Sequence, residues 1–338
     1  MVSIGYLYER KKLLLVAIGI YGILCHLGYK YMLKDDFRIQ LRTFSSPGWW
    51  LMPLFNSKYS IDSPLEESVS TEPVIAIGTG ITSRKLRSVS DANMGGKFQF
   101  FHTFLPTFCH TGSTQYRYRF YLAFDGSDQV FSSKRLRDAF RRQFYAATTS
   151  GSCRARGIVA NLTLVECSHA GKPTWAQNDA MLEAYLDHVD YMYRINDDTQ
   201  MLTGGWTEKF ISTLEGYDPP RVGVVGPNHS GGNVRILTYD FVHRTHVDLF
   251  GFYYPRVFTD WWGDRWMTDV YMPERSTKLF RVHLEHTMDL GMRYVIQYAA
   301  YPHLVHEINS GKETVSRYVV RSIFEFFYIF KLIFKKLE

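Results

Sequence analysis

The chain has 338 residues, of which 46% are hydrophobic and 16% aromatic, and its net charge is +6. That length suits one large α/β domain with appendages, or two small domains, and the apolar content is ample for a sizeable core. The charge is modest, spread along the chain and not interleaved with an aromatic platform, which argues against nucleic acid as a partner.

The four cysteines are Cys25, Cys109, Cys153 and Cys167. They form no CxxC pair and no zinc-ligand spacing. One disulfide is feasible, Cys153 with Cys167, with one thiol of the main body left over. Cysteine arithmetic leaves the compartment open.

Residues 13–29 form an apolar run closed by Lys30 and Lys34. Its length is at the low end for a membrane-spanning helix. A signal anchor within residues 1–34 is expected, with a cleaved signal peptide or a buried helix as the competing readings. The flanking charges, Arg10 to Lys12 on one side and Lys30, Lys34, Arg38 and Arg42 on the other, do not orient it. The short N-terminus and large C-terminal body favour a type II arrangement with the body lumenal. Residues 35–72, rich in Ser and Pro, read as a stem or linker.

The folded body starts near Val74 with a short strand, Val74–Ile77, ending in Gly78-Thr79-Gly80 and then Ile81-Thr82-Ser83-Arg84. Glycines let a backbone approach a ligand, and Thr79, Ser83 and Arg84 suit a phosphate or a base edge. An ordinary tight turn explains the same glycines. A second strand, Arg119–Phe124, ends in Asp125-Gly126-Ser127-Asp128. The basic run Lys134 to Arg142 falls on a helix and reads as a solvated face, or as a contact for anionic headgroups or a phosphate. Gly157–Val165 is a third strand. A helix follows over residues 174–187, with Trp175, Asn178, Met181, Leu182 and Tyr185 at helical spacing.

Then comes Tyr191–Thr199, a half-aromatic strand that runs into Asn196-Asp197-Asp198. Ligands of open α/β sheets bind at the carboxyl ends of strands. Two adjacent acids there suggest a divalent cation, since hard cations take oxygen ligands. The competing reading is a helix N-cap. Next are a helix at Trp206–Leu214 and a strand at Val222–Val225, followed by the blocks Ile236–Gly251 and Phe258–Tyr271. Alternating strands and helices predict a mainly parallel, covered sheet. Tyr318–Glu338 reads as an amphipathic helix that packs on the body or lies at a bilayer surface.

In sequence order these blocks resemble glycosyltransferases of the GT-A class. They are similar in particular to a group described as membrane glycosyltransferases in protists, algae and large viruses. The resemblance rests on Asn196–Thr199, Gly223–Pro227, Ile236–Gly251 and Asp260–Tyr271, and covers residues 74–271. Two positions depart from the group's pattern: Asn196 stands where a DxD motif begins with Asp, and Arg265 stands where an acid is usual.

The resemblance implies a Rossmann-like GT-A domain over residues 73–315, with residues 316–338 as a C-terminal amphipathic helix. It implies transfer of a sugar from a nucleotide sugar, expected to be a UDP-sugar, to a glycan, glycoprotein or glycolipid acceptor. The membrane would be that of the Golgi or endoplasmic reticulum. Mn²⁺ or Mg²⁺ would stabilise the departing diphosphate. Asp198 is the first metal ligand, with Asn196 and Asp197 contributing to metal, ribose or sugar hydroxyls. Thr79, Ser83, Arg84, Asp125 and Asp197 are the nucleotide contacts. A late histidine, His303 or His306, is the further metal ligand. Asp264 is the general base on the acceptor hydroxyl, with Asp260 in reserve. Trp261 and Trp262 would stack on sugar faces, and His243 and Arg244 would hold the acceptor or a phosphate. A non-catalytic, transferase-like lumenal protein that binds glycans or scaffolds other proteins is the rival reading, favoured by Asn196 and Arg265.

Overall fold

The computed structural model describes residues 72–287, 291 and 298–335, with side chains of the last helix described as far as residue 323. The chain divides into two compact units, Met1–Glu67 and Ser68–Glu338, and the described residues belong to the second. The expected anchor at 1–34 and the linker at 35–72 lie outside the described residues, Glu72 excepted. Among the described residues no helix is long and apolar enough to cross a membrane.

The body is an α/β fold around one mixed sheet of eight strands, compatible with a Rossmann-like architecture. The strands are β1 (Val74–Ile81), β2 (Arg117–Asp125), β3 (Val159–Cys167), β4 (Tyr191–Arg194), β5 (Thr199–Met201), β6 (Val224–Ser230), β7 (Phe241–His243) and β8 (Ser276–His286). Their order is β3-β2-β1-β4-β7-β6-β8-β5. The first four run parallel, with Ile75 opposite both Tyr118 and Tyr191. β7 is antiparallel to β4 and β6, and β5 is antiparallel to β8. The sheet is mixed, but only β5 and β7 run against the other six strands, so it is mainly parallel as expected apart from those two. The segment between β6 and β7 holds no helix. It is too short for a parallel crossover, so the chain must return antiparallel.

Alternation along the strands sorts side chains onto two faces. Ile75, Ile77, Phe120, Leu122, Tyr191 and Tyr193 join one core, rich in phenylalanine. Ala76, Tyr121, Ala123 and Met192 join the other, beneath Ala180, Met181 and Trp266.

The main helices are α1 (Leu105–Thr111), α2 (Lys134–Thr148), α3 (Gly151–Ala155), α4 (Pro173–Leu186), α5 (Trp206–Glu215), α6 (Thr245–Phe250), α7 (Gly263–Val270) and α8 (Leu304–Lys335). α2 begins where Ser133 accepts a hydrogen bond from the Leu136 amide. Its cations are answered locally: Lys134 and Arg141 by Asp138, Arg135 and Arg142 by Asp91. The run is a solvated face.

Gly78 and Gly80 lie inside β1, not in a turn after it. A Cβ on Gly78 would stand 2.7 Å from the Met181 thioether, and one on Gly80 3.2 Å from Ala176 Cβ. The glycines let α4 lie close on β1.

Cys109 pairs with Cys153, joining α1 to α3, and Cys167 is free and buried. The expected Cys153–Cys167 pairing fails because β3 separates them. Cys153 precedes that strand and Cys167 ends it, on the order of 25 Å away at the usual rise per residue, far beyond disulfide reach. α8 starts at Leu304 and packs its first half on α7, where Trp266 Nε1 donates to the Glu307 carbonyl at 3.0 Å. The boundary expected between residues 315 and 316 falls inside this continuous helix.

Candidate active site

β1 separates β2, on one side, from β4, on the other, so the chain's direction across the sheet reverses there. Open α/β sheets bind ligands at such a point, beyond the carboxyl ends of the strands. A cavity of about 1060 Å³ lies there. Thr79, Arg84, Asp125, Asn196, Asp197 and Asp198 line it, and so do Asp260, Trp261, Trp262 and Asp264.

The Asn196-Asp197-Asp198 segment joins β4 to β5 and caps no helix. α5 begins only at Trp206, with Gly205 at its N-cap. Two backbone bonds hold the segment: Ile195 donates to the Gly78 carbonyl at 3.1 Å, and Thr287 donates to the Asp198 carbonyl at 3.1 Å. Asp197 and Asp198 are both buried. His286 Nε2 stands 3.1 Å from Asp198 Oδ1 and 3.5 Å from Asn196 Nδ2. Adjacent donors on an octahedral ion with bonds of about 2.1 Å lie about 3.0 Å apart. The Asp198 carboxylate and the His286 imidazole stand at that spacing, while Asn196 turns its amide nitrogen toward His286 and could ligate only through its oxygen.

His286 was not singled out from the sequence. It is brought in by β8, which pairs antiparallel with β5 and sets His286 opposite Thr199. The one available signal was its place at the end of the alternating run Val282, Leu284, His286, whose first two members are buried. The histidines expected in this role stand elsewhere. His303 and His306 are exposed and do not line the cavity, although Tyr301, Leu304, Val305 and Ile308 beside them do.

On the nucleotide side, Arg84 approaches Asp125 at 3.9 Å. Burial works to raise the Asp125 pKa. Hydrogen bonds from Ser127 and Gly171 and the Arg84 charge outweigh it and hold the carboxyl below its ordinary value. Ser83 does not reach the cavity. Its hydroxyl donates to Asp128 Oδ1 at 2.6 Å and its amide to Oδ2 at 2.7 Å, which pins the loop after β1.

The opposite wall comes from the turn into α7. Trp262 holds a left-handed backbone, φ +81°, immediately before the helix. That conformation is costly for a bulky residue. It puts the ring of Trp262 4.7 Å from that of Tyr301, while Trp261 meets Tyr298 at 6.5 Å. Asp264 follows in the first turn of α7, half-buried, and its Oδ1 accepts from the Arg265 amide at 2.8 Å. The Arg265 guanidinium is engaged by Asp269, one helical turn on. Asp260 is buried and accepts from the Trp261 amide at 2.7 Å.

Arg194, at the end of β4, also lines the cavity, and nothing in its sequence context marked it. It is buried, donates to the Thr238 carbonyl at 2.6 Å, and its Nη2 lies 2.6 Å from the Gln177 amide oxygen in the orientation that satisfies both groups. Behind it, Asp240 accepts from the hydroxyls of Tyr253 and Tyr254. Burial pushes the Asp240 pKa up to about 7, against the opposing pull of Arg194 and the two tyrosines.

His243 and Arg244 lie outside the cavity. His243 is buried in β7 with Nδ1 2.6 Å from the Thr245 hydroxyl. Arg244 stacks on Tyr185 at 4.9 Å. Neither is placed to touch an acceptor in this cavity.

No protein-family model matches the chain, and no curated protein matches it. The chain is an α/β protein with a mixed sheet compatible with a Rossmann-like fold and an acid- and tryptophan-lined cavity at the carboxyl ends of its parallel strands.

Proposed function

We propose that the protein is a metal-dependent glycosyltransferase of the GT-A class, using a nucleotide sugar, with a UDP-sugar as the leading donor. The observation that carries this reading is the Asp198–His286 pair, 3.1 Å apart beside a cavity that also holds Asp264 and Trp261. Asp198, Asn196 and His286 would hold Mn²⁺ or Mg²⁺, which supplies charge stabilisation for a departing diphosphate. Arg84 and Asp125 lie where they suit the nucleotide. Arg194 adds a fixed positive charge to the cavity. Asp264 would take the proton from an acceptor hydroxyl. The Arg265 charge, satisfied by Asp269, opposes this little. The exposed face of Trp261 suits the apolar side of a sugar ring.

The Cys109–Cys153 disulfide supports a lumenal setting, since such bonds persist in oxidising compartments. With an anchor in residues 1–34 this gives a type II protein of the Golgi or endoplasmic reticulum membrane, acting on a glycan, glycoprotein or glycolipid. Asn196 in place of an acid keeps the glycan-binding reading in play.

The test is thermal stability with a panel of nucleotide sugars with and without Mn²⁺, followed by donor hydrolysis. A UDP-sugar that raises the melting temperature only with Mn²⁺, and is hydrolysed by the native chain but not by Asp198→Ala, supports the reading. Absence of both nucleotide binding and hydrolysis overturns it. Binding of glycans without hydrolysis favours the rival.

A further inference from the structure

The same cavity wall carries a second set of donors of different character. Cys167 is the last residue of β3, His169 follows two residues on, and Asp179 lies on α4. One ligand atom from each lies within 4.8 Å of the other two. The arrangement follows from topology: α4 folds back over the strand end that the loop 168–172 has just left. His169 Nε2 is 3.0 Å from Asp179 Oδ2. Donors on a tetrahedral ion with bonds of about 2.0 Å are about 3.3 Å apart. Trp175 meets the His169 ring edge-on at 5.3 Å, and Lys172 Nζ lies 3.8 Å over the Trp175 ring, so the loop is braced. Asp125 stands opposite Cys167 in the sheet register and adds negative charge beside the set.

From these placements we infer that Cys167, His169 and Asp179 form a zinc-class metal site, separate from the oxygen-rich site at Asp198. A thiolate, an imidazole and a carboxylate select Zn²⁺ over the harder Mn²⁺ and Mg²⁺. Cys167 binds as the thiolate, its proton passing to solvent. Three protein ligands leave a fourth position open. Cys167 and His169 line the cavity, so that position is filled by water or by an oxygen of the cavity's ligand. The ion ties the end of β3 to α4 across the loop that forms this wall. None of this requires that any sugar be transferred.

Cobalt tests it, because only a thiolate ligand gives an intense near-ultraviolet sulfur-to-cobalt band. The full chain, stripped with chelator and titrated with Co²⁺, is expected to show that band together with visible bands of tetrahedral intensity. Zn²⁺ should displace them. Cys167→Ser and His169→Gln should abolish the sulfur band, and Asp198→Ala should retain it. If Cys167→Ser fails to fold, Asp179→Asn decides. A loss of cobalt affinity of about ten-fold or more supports the site, and unchanged affinity overturns it. The inference also falls if the folded native chain gives no sulfur band, or if the band survives in folded Cys167→Ser. Failure here leaves the Asp198 site untouched, and failure of nucleotide binding leaves this site untouched.

Discussion

His286 Nε2 lies 3.1 Å from Asp198 Oδ1, and strand pairing makes the contact, not nearness along the chain. β5 and β8 are antiparallel neighbours, Thr199 faces His286, and the residue before Thr199 is Asp198. One ladder therefore delivers both groups to the cavity.

Asp198→Ala and His286→Ala should each remove the Mn²⁺-dependent thermal shift. Partners one shell out from a metal are worth 10–100-fold in affinity, so loss of a direct ligand should cost on the order of 100-fold or more. His303→Ala and His306→Ala, at exposed positions off the cavity, should change stability by no more than about 0.5 kcal/mol and leave the shift intact. Isothermal titration with Mn²⁺ and UDP compares all four. Equal losses at His303 and His286 would reverse the ligand assignment.

Asp264→Asn preserves the acceptor of the Arg265 amide bond and should fold as the native protein does. As the general base it should lower the turnover of transfer about 10²–10⁴-fold, with donor affinity little changed. Steady-state kinetics separates the two quantities. Turnover within two-fold of native removes Asp264 from the proton path.

Gly226→Ala should destabilise more than Gly78→Ala. A Cβ at residue 226 would meet the Tyr239 carbonyl oxygen at 2.6 Å, a backbone atom that cannot step aside. The corresponding clash at residue 78, 2.7 Å, is with the flexible end of Met181. Overpacking of this kind costs about 1–3 kcal/mol, with Gly226→Ala at the upper end. Urea denaturation midpoints check the order, and a larger loss at residue 78 would contradict it.

His246 is buried as the neutral imidazole, with Nε2 donating to the Tyr253 carbonyl at 2.8 Å and Nδ1 accepting from the Tyr271 hydroxyl at 2.9 Å. Burial lowers its pKa to about 4, opposed by the Tyr253 bond. The unfolded chain therefore binds the proton first. Stability from this residue is present above pH 6.5 and is lost as pH falls from there toward 4. The difference in unfolding free energy between the native chain and His246→Asn should narrow over that range. A difference that stays constant with pH would exclude His246 as the source.

Much of the parallel part of the sheet was legible. Val74–Ile77, Arg119–Phe124 and Gly157–Val165 are apolar runs whose length and alternation mark strands, and each is followed by turn or ligand chemistry. Asp125 and Asp197-Asp198 stood out because acids at strand ends are local facts. The expected strand Val222–Val225 overlaps β6, but the two strands that run against the rest were not legible. β5 and β7 are three residues each, too short to carry a period, and they exist only because neighbours pair with them.

Local chemistry thus marked the α/β class, the strands β1 to β4 and the Asn196-Asp197-Asp198 triplet at the end of β4. Those features depend on periodicity and on residues adjacent in the chain. Tertiary structure alone decided that Ser83 holds Asp128, that His243 and Arg244 turn away, that Cys109 meets Cys153, and that His286 stands beside Asp198. Each of these is a contact between distant segments, set by which strands pair and how helices cross them.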